Sequence, residues 1–224
     1  MTELRRIGAA DLIAQILGDR MLSGELRQGA PLTETELARE FDVSRNTVRE
    51  GLRLLTRDGL ASHEVHRGVA VRSFRVDEVR QNYQIRAMIQ REVGDCAGSI
   101  RPERATVLRQ QVDRGVECRL TGDARGWMNH NLDFHLALVA LLGNPRLDAW
   151  FTALIREIRI VLGALEREMD PCWDDGNLAL ANHLEAGDAH GYRIAVTAYL
   201  EHSCADVVRL MGQPSVKSDR DDHR

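Results

Sequence analysis

The stretch from Thr33 to Val71 constrains the fold of this 224-residue chain more than any other part of it. Thr33, with Glu36 three positions on, has the capping-box pattern of a helix start, and Leu37, Ala38 and Phe41 give the short helix an apolar side. Asp42-Val43-Ser44 breaks that helix, and Ser44 can cap a second one running from Arg45 to about Arg57. Asp58-Gly59 ends it, since glycine suits the left-handed position after a helix. From Leu60 to Val71 the chain has short β-prone ends around a glycine-containing turn, as a small hairpin does. An amphipathic helix precedes all of this, from Ala10 to Leu22, with Leu12, Ile13, Ile16, Leu17 and Met21 on its apolar stripe. Helix, helix, helix, hairpin is the layout of a winged helix-turn-helix.

The second of the paired helices has two distinct faces. With each residue turned by about 100°, Val48, Leu52 and Leu55 form one stripe, while Arg45, Asn46, Arg49 and Arg53 occupy the adjoining face. Arg45, Asn46, Thr47 and Arg49 stand in or beside the first turn, the part of a recognition helix that meets base edges in the major groove. Arginine offers guanine a bidentate pair, and asparagine pairs with adenine. Ser44, Thr47 and the free helix N–H groups suit phosphate, and Thr33 is counted with the DNA-binding residues. A solvated bundle helix also presents arginines, but the capped helix before this one and the hairpin after it weigh against that reading. Bulk charge is no guide. The chain carries a net −4, and residues 1–75 hold 12 arginines against 11 acidic residues. The placement of the arginines, not their number, points to DNA.

From Val76 onward the sequence is helix-compatible, with breaks near 99–102, 121–126, 143–145, 170–176 and 187–188 that separate about six helices. The expected fold is mainly α: residues 1–75 a winged helix-turn-helix with a β-hairpin wing, residues 76–211 an all-helical bundle, and residues 212–224 a disordered tail of polar and charged composition. Several polar residues fall on core-facing stripes of the bundle. Arg86 and Gln90 align with Val79, Tyr83, Val93 and Ala97; Asn131 and His135 align with Phe134, Leu138 and Leu142; Tyr199 aligns with Tyr192, Val196, Ser203 and Leu210. Left unpaired in a core, each costs about 1–3 kcal/mol, so they are expected to face one another, trapped water or a ligand. An inward guanidinium at Arg86 needs an anion: a metabolite's carboxylate or an internal Asp or Glu. For His135 the plain alternative is a core histidine bonded to Asn131 or Asn177.

The run LTETELAREFDVSRNTVREGLRLLTRDGLASHEVHRGVAV resembles the DNA-binding domain of GntR-family regulators, through the E-x-x-L-A helix, the V-S-R turn, the V-R-E opening of the reading helix, L-x-x-x-G-L, and a wing ending in R-G-x-x-V. That resemblance implies contacts from Arg45 and Arg49 to bases or nearby phosphates, with the wing around His66, Arg67 and Gly68 in the minor groove. Asn46-Thr47 stands where many members carry Thr-Pro, so the operator cannot be borrowed from a generic member. The segments YQIRAMIQ, NLDFHLALVALLGNPRL and LEAGDAHGYRIAVTAYLEHS resemble, in order and spacing, the FCD effector domain of the FadR subfamily. This implies a homodimer on a pseudo-palindromic operator, controlled by a small-molecule effector bound around Arg86, Gln90, Asn131, His135, Asn177 and Tyr199.

Many FCD domains hold a metal through an Asp, a His four residues later, and two more histidines. Asn131, His135, Asn177 and Tyr199 fall at those positions, and only His135 is a good ligand. No cofactor is therefore expected. A zinc-dependent version of the regulator would need His135 with Asn131 or Asn177, or with His183 or His202 on a shifted helix. An enzyme built on His135 and Asp133 is disfavoured because the two point to opposite sides of one helix, and no nucleophile elbow or phosphate loop accompanies them. A protein-binding adaptor would leave the arginine face and wing unexplained. The four widely spaced cysteines, the absence of an apolar run of membrane-spanning length and an N-terminus unlike a signal peptide lead to the expectation of a cytoplasmic protein with no membrane partner.

Overall fold

The computed structural model describes residues 8–64, 68–163, 165 and 173–212. His66 and Arg67, Cys172, and the tail beyond Gly212 lie outside the described residues.

Helix α1 (Ala9–Leu22) buries Ile13, Leu17 and Met21 and packs on α3 (Arg45–Arg57), with α2 (Glu34–Glu40) completing the trihelical head. Ser44 caps α3 as the sequence suggests, its Oγ accepting from the Thr47 N–H at 3.1 Å. Thr33 does not act in the same way. It occupies the N-cap of α2 in an extended conformation, but its hydroxyl makes no capping bond, so the Thr33–Glu36 box is not formed. The carboxylate half of such a box operates instead at the helix that begins at Val76, where Glu78 Oε2 accepts from the Arg75 N–H at 2.9 Å.

The turn between α2 and α3 is tight because Asp42 adopts a left-handed conformation (φ 50°), which brings the Val43 N–H to the Ala38 carbonyl at 3.1 Å. This six-residue closure is a Schellman-type helix end with aspartate at the position glycine usually takes. Strands β1 (Ala61–Glu64) and β2 (Gly68–Val71) pair antiparallel, Ala61 opposite Val71 and Glu64 opposite Gly68. The connector 29–32 adds to the β2 edge through Leu32 N–H to Val69 O and Val71 N–H to Ala30 O.

Six helices follow: α4 (Val76–Glu92), α5 (Pro102–Leu120), α6 (Ala124–Ala140), α7 (Pro145–Gly163), α8 (Trp173–Glu185) and α9 (Ala189–Met211). A 3-10 turn, Val93–Cys96, ends α4 before Ala97, so the predicted single helix to Gly98 stops a turn early. α4 packs on α9, α5 on α6 and α8, and α6 on α7. Phe134, Leu138, Phe151, Leu180, Tyr192 and Val196 are fully buried among these helices. The head meets the bundle along α1 and α7, where Arg72 bridges Glu157 of α7 (2.9 Å) and Glu78 of α4 (3.2 Å). Among the described residues no helix is long and apolar enough to cross a membrane.

Candidate nucleic-acid interface and effector site

On α3, Val48, Leu52 and Leu55 are buried against the head while Arg45, Asn46, Arg49 and Arg53 are exposed. The helix therefore divides as its periodicity requires. Two of the outward groups are already held in place. Arg49 forms a bidentate pair with Glu34 of α2 (Nε to Oε1 2.9 Å, Nη2 to Oε2 2.8 Å), which lowers the Glu34 pKa and raises that of Arg49. The Ser44 and Thr47 hydroxyls lie 2.7 Å apart at the start of α3. Arg53 makes a longer contact to Glu50 at 3.3 Å. Gly68 opens β2, exposed and with φ 82°; His66 and Arg67 lie outside the described residues.

In the bundle all six candidate residues come together. His135 is fully buried, and its Nδ1 lies 2.7 Å from Gln90 Oε1. Because that oxygen only accepts, Nδ1 carries the proton and Nε2 presents a lone pair. The partner is thus Gln90, not Asn131 or Asn177. Asn131 Oδ1 instead accepts from Asn177 Nδ2 (2.7 Å) and from the Tyr199 hydroxyl (2.8 Å). The His135 and Tyr199 rings lie 5.0 Å apart. Burial, and then the charge of Arg86, hold His135 well below its ordinary pKa, so the imidazole is neutral. Burial pushes the Tyr199 phenol far up, so it stays protonated.

Arg86 is 2% exposed, and its guanidinium sits 4.6 Å over the Tyr83 ring. Its Nε and Nη1 have no hydrogen-bond partner, and no acidic side chain among the described residues pairs with it. The alternative of an internal Asp or Glu is thus not met among the described residues. Gln90 Nε2, His135 Nε2, Asn177 Oδ1 and Ser203 Oγ are likewise buried and unpartnered. Ser203 and Tyr83 were not singled out as site residues from the sequence. Both share a stripe with one that was, Tyr83 three residues before Arg86 and Ser203 four after Tyr199, and that spacing is the signal that points to them. A groove of about 500 Å³ runs between α4 and α9 on the outer side of Tyr83, Leu200 and Cys204.

The donor set does not suit a divalent metal. His183 is engaged with Asp188 at the α8–α9 corner (2.8 Å), and His202 pairs with Asp206 on α9 (3.3 Å), so neither takes the shifted role. Among the described residues no group of three His, Cys, Asp or Glu side chains is placed to hold a metal. An acid–base pair on α6 is not assembled either: Asp133 binds Arg159 at 2.9 Å, away from His135.

Comparison with known proteins agrees with these two halves. Residues 9–71 match the model of the bacterial regulatory proteins of the gntR family, and residues 81–202 match the FCD domain. The chain is 27% identical over 203 residues to a probable D-xylose utilization operon transcriptional repressor of Paenarthrobacter nicotinovorans, covering 88% of this chain and 89% of that protein. The crystal structure of a GntR transcriptional regulator from Rhodococcus sp. RHA1 superposes with a TM-score of 0.81 at 27% identity, covering 89% of this chain and 97% of the other. McbR/YncC of E. coli shares the fold, with a TM-score of 0.76 at 19% identity over 92% of this chain and all of the other. With a reading head and a helical bundle each matched over its length, the chain belongs to the GntR family of DNA-binding transcriptional regulators and carries an FCD effector domain.

Proposed function

We propose that this regulator binds its operator as a homodimer through paired α3 helices, and that a carboxylate-bearing metabolite bound at the Arg86 cluster sets its affinity for DNA. Residues 1–75 serve as the reading unit and residues 76–211 as the sensing and dimerising unit. Arg45, Asn46 and Arg49 meet base edges; Thr33, Ser44, Thr47 and Arg53 meet phosphates; Gly68, with His66 and Arg67, belongs to the wing.

The observation that carries the effector reading is the buried guanidinium of Arg86, whose Nε and Nη1 have no hydrogen-bond partner. A cation–π contact is worth about 2 kcal/mol when desolvated, less than the several kcal/mol that a buried ion loses on leaving water. The cluster is therefore under-satisfied as it stands, and an anion that reaches it gains what Arg86 lacks. A hydroxyl beside the carboxylate fits as well, donating to His135 Nε2 and accepting from Gln90 Nε2. The atoms concerned are sealed, so entry requires α4 and α9 to part, and the groove outside Tyr83 supplies the route. Parting those helices is also what makes binding felt elsewhere, since α4 bears Glu78, a partner of Arg72 at the head.

The test is a thermal-shift screen of the full chain against carboxylates, with and without adjacent hydroxyls, followed by operator titration. A compound that raises the melting temperature of the native chain but not of Arg86→Ala, and changes operator affinity by about 5- to 150-fold, establishes the effector. For the DNA face, Arg45→Ala should weaken specific binding by about ten- to a hundredfold. Unchanged operator affinity in that variant removes α3 from the reading role.

A further inference from the structure

We infer that the interior cluster is a metal-excluding anion site: Arg86 is its built-in cation, and Asn131, Asn177 and Tyr199 form a neutral hydrogen-bonded lock at positions where a metal's donors would stand. It rests on the proposed effector reading only in naming the ligand an anion.

Asn131 is decisive. A carbonyl oxygen has two lone pairs, and here both are taken, one by Asn177 Nδ2 and one by the Tyr199 hydroxyl. Three of the four positions thus satisfy one another, and drawing the Asn131 oxygen toward a cation would strand two buried donors. What remains is one imidazole lone pair, at His135 Nε2, and one amide oxygen, at Asn177. Zinc sites need three or four nitrogen, sulfur or carboxylate donors.

Charge points the same way. The groups that feel the charge of Arg86 are Tyr83 on α4, His135 on α6, and Tyr199 and Cys204 on α9, none of them a carboxylate. On α9, Asp206 forms 3.3 Å ion pairs with His202 and Arg209, and Glu201 lines the outer groove. The field of Arg86 already disfavours a proton on His135. Coulomb's law makes it twice as unfavourable for a dication at the same point.

Zinc alone is the probe. Full-length protein equilibrated with excess Zn²⁺ and then dialysed should retain a substoichiometric amount by elemental analysis. The histidine nitrogen spectrum should keep His135 as the neutral Nδ1–H form, with Nε2 unshifted by the metal. The variant Arg86→Gln/Asn131→Asp/Tyr199→His, which removes the cation and restores two donors, should retain close to one equivalent. Its fold is checked by circular dichroism. A tightly held equivalent of zinc in the native chain, or a zinc-dependent shift at His135 Nε2, overturns the inference. So does a folded variant that still binds none, because the excluding feature would then lie elsewhere. If the variant does not fold, the native chain's metal content and His135 spectrum decide alone. A carboxylate screen that yields no ligand, with or without chelator, would count against the effector reading and leave the zinc result standing.

Discussion

His135 shows how one buried residue turns geometry into a measurable property. In the unfolded chain a histidine takes its proton near pH 6.5; in the fold His135 resists protonation well below that, through burial and then the charge of Arg86. Below the unfolded pKa the unfolded state binds a proton that the native state refuses. The stability is therefore complete above about pH 6.5 and is lost as the pH falls, by up to about 1.4 kcal/mol per unit for one such group. Urea unfolding at a series of pH values should show this acid-side slope, and His135→Gln should flatten it by one proton. An unaltered slope would mean that the linked proton sits on another group. Part of this site was legible in the sequence, because Arg86, Gln90, Asn131 and His135 fall on core stripes by helical period alone. The pairing of His135 with Gln90 was not. The two are 45 residues apart, on helices whose contact is set by the packing of the whole bundle.

At the scale of elements, α2, the turn and α3 were readable because each boundary is fixed by local chemistry. Ser44 caps, and Gly59 takes the left-handed conformation (φ 75°) that ends α3. Replacing Ser44 with alanine should cost about 1 kcal/mol of stability, measured by chemical denaturation, whereas Thr33→Ala, with no capping bond to lose, should cost much less. Equal losses would show that the hydroxyl at Ser44 does not act as a cap. Sequence pattern could not separate these two threonine and serine caps, since both have the right type and spacing and only the hydroxyl's final direction differs. The Glu34–Arg49 pair was hidden for another reason: it joins two helices, and their crossing decides whether the side chains meet. That pair holds Arg49 in one orientation. In Glu34→Gln the freed guanidinium should reach phosphate more readily, raising binding to unrelated duplex relative to operator and steepening the salt dependence by about one counterion. Anisotropy titrations of both duplexes over a range of salt read this directly, and an unchanged ratio and slope would mean that Glu34 plays no part in discrimination.

Across the whole molecule, the question is how a change among α4, α6 and α9 reaches a helix on the far side of the head. Contacts at the seam offer a short mechanical route. Asp133 of α6 binds Arg159 of α7, Glu157 of α7 binds Arg72 just after the wing, and Asn82 of α4 donates to the Leu154 carbonyl of α7 at 3.0 Å. Beside them the end of α1 touches the end of α7 backbone to backbone: a Cβ placed on Gly24 would lie 2.5 Å from the Gly163 carbonyl oxygen. Gly24 also has φ 72°, a conformation that costs other residues about 1–2 kcal/mol. Gly24→Ala should therefore lift α1 from α7 while leaving both cores intact. Linkage makes the consequence testable with no effector in hand, because whatever the sensor does to DNA affinity, DNA must do to the sensor. In the native chain, operator duplex should alter hydrogen exchange in α6 and α7; in Gly24→Ala the head should still bind the duplex and the response in those helices should fade. If α6 and α7 respond equally in both proteins, coupling does not pass through the α1–α7 contact, and the Arg72 ion pairs become the route to break next.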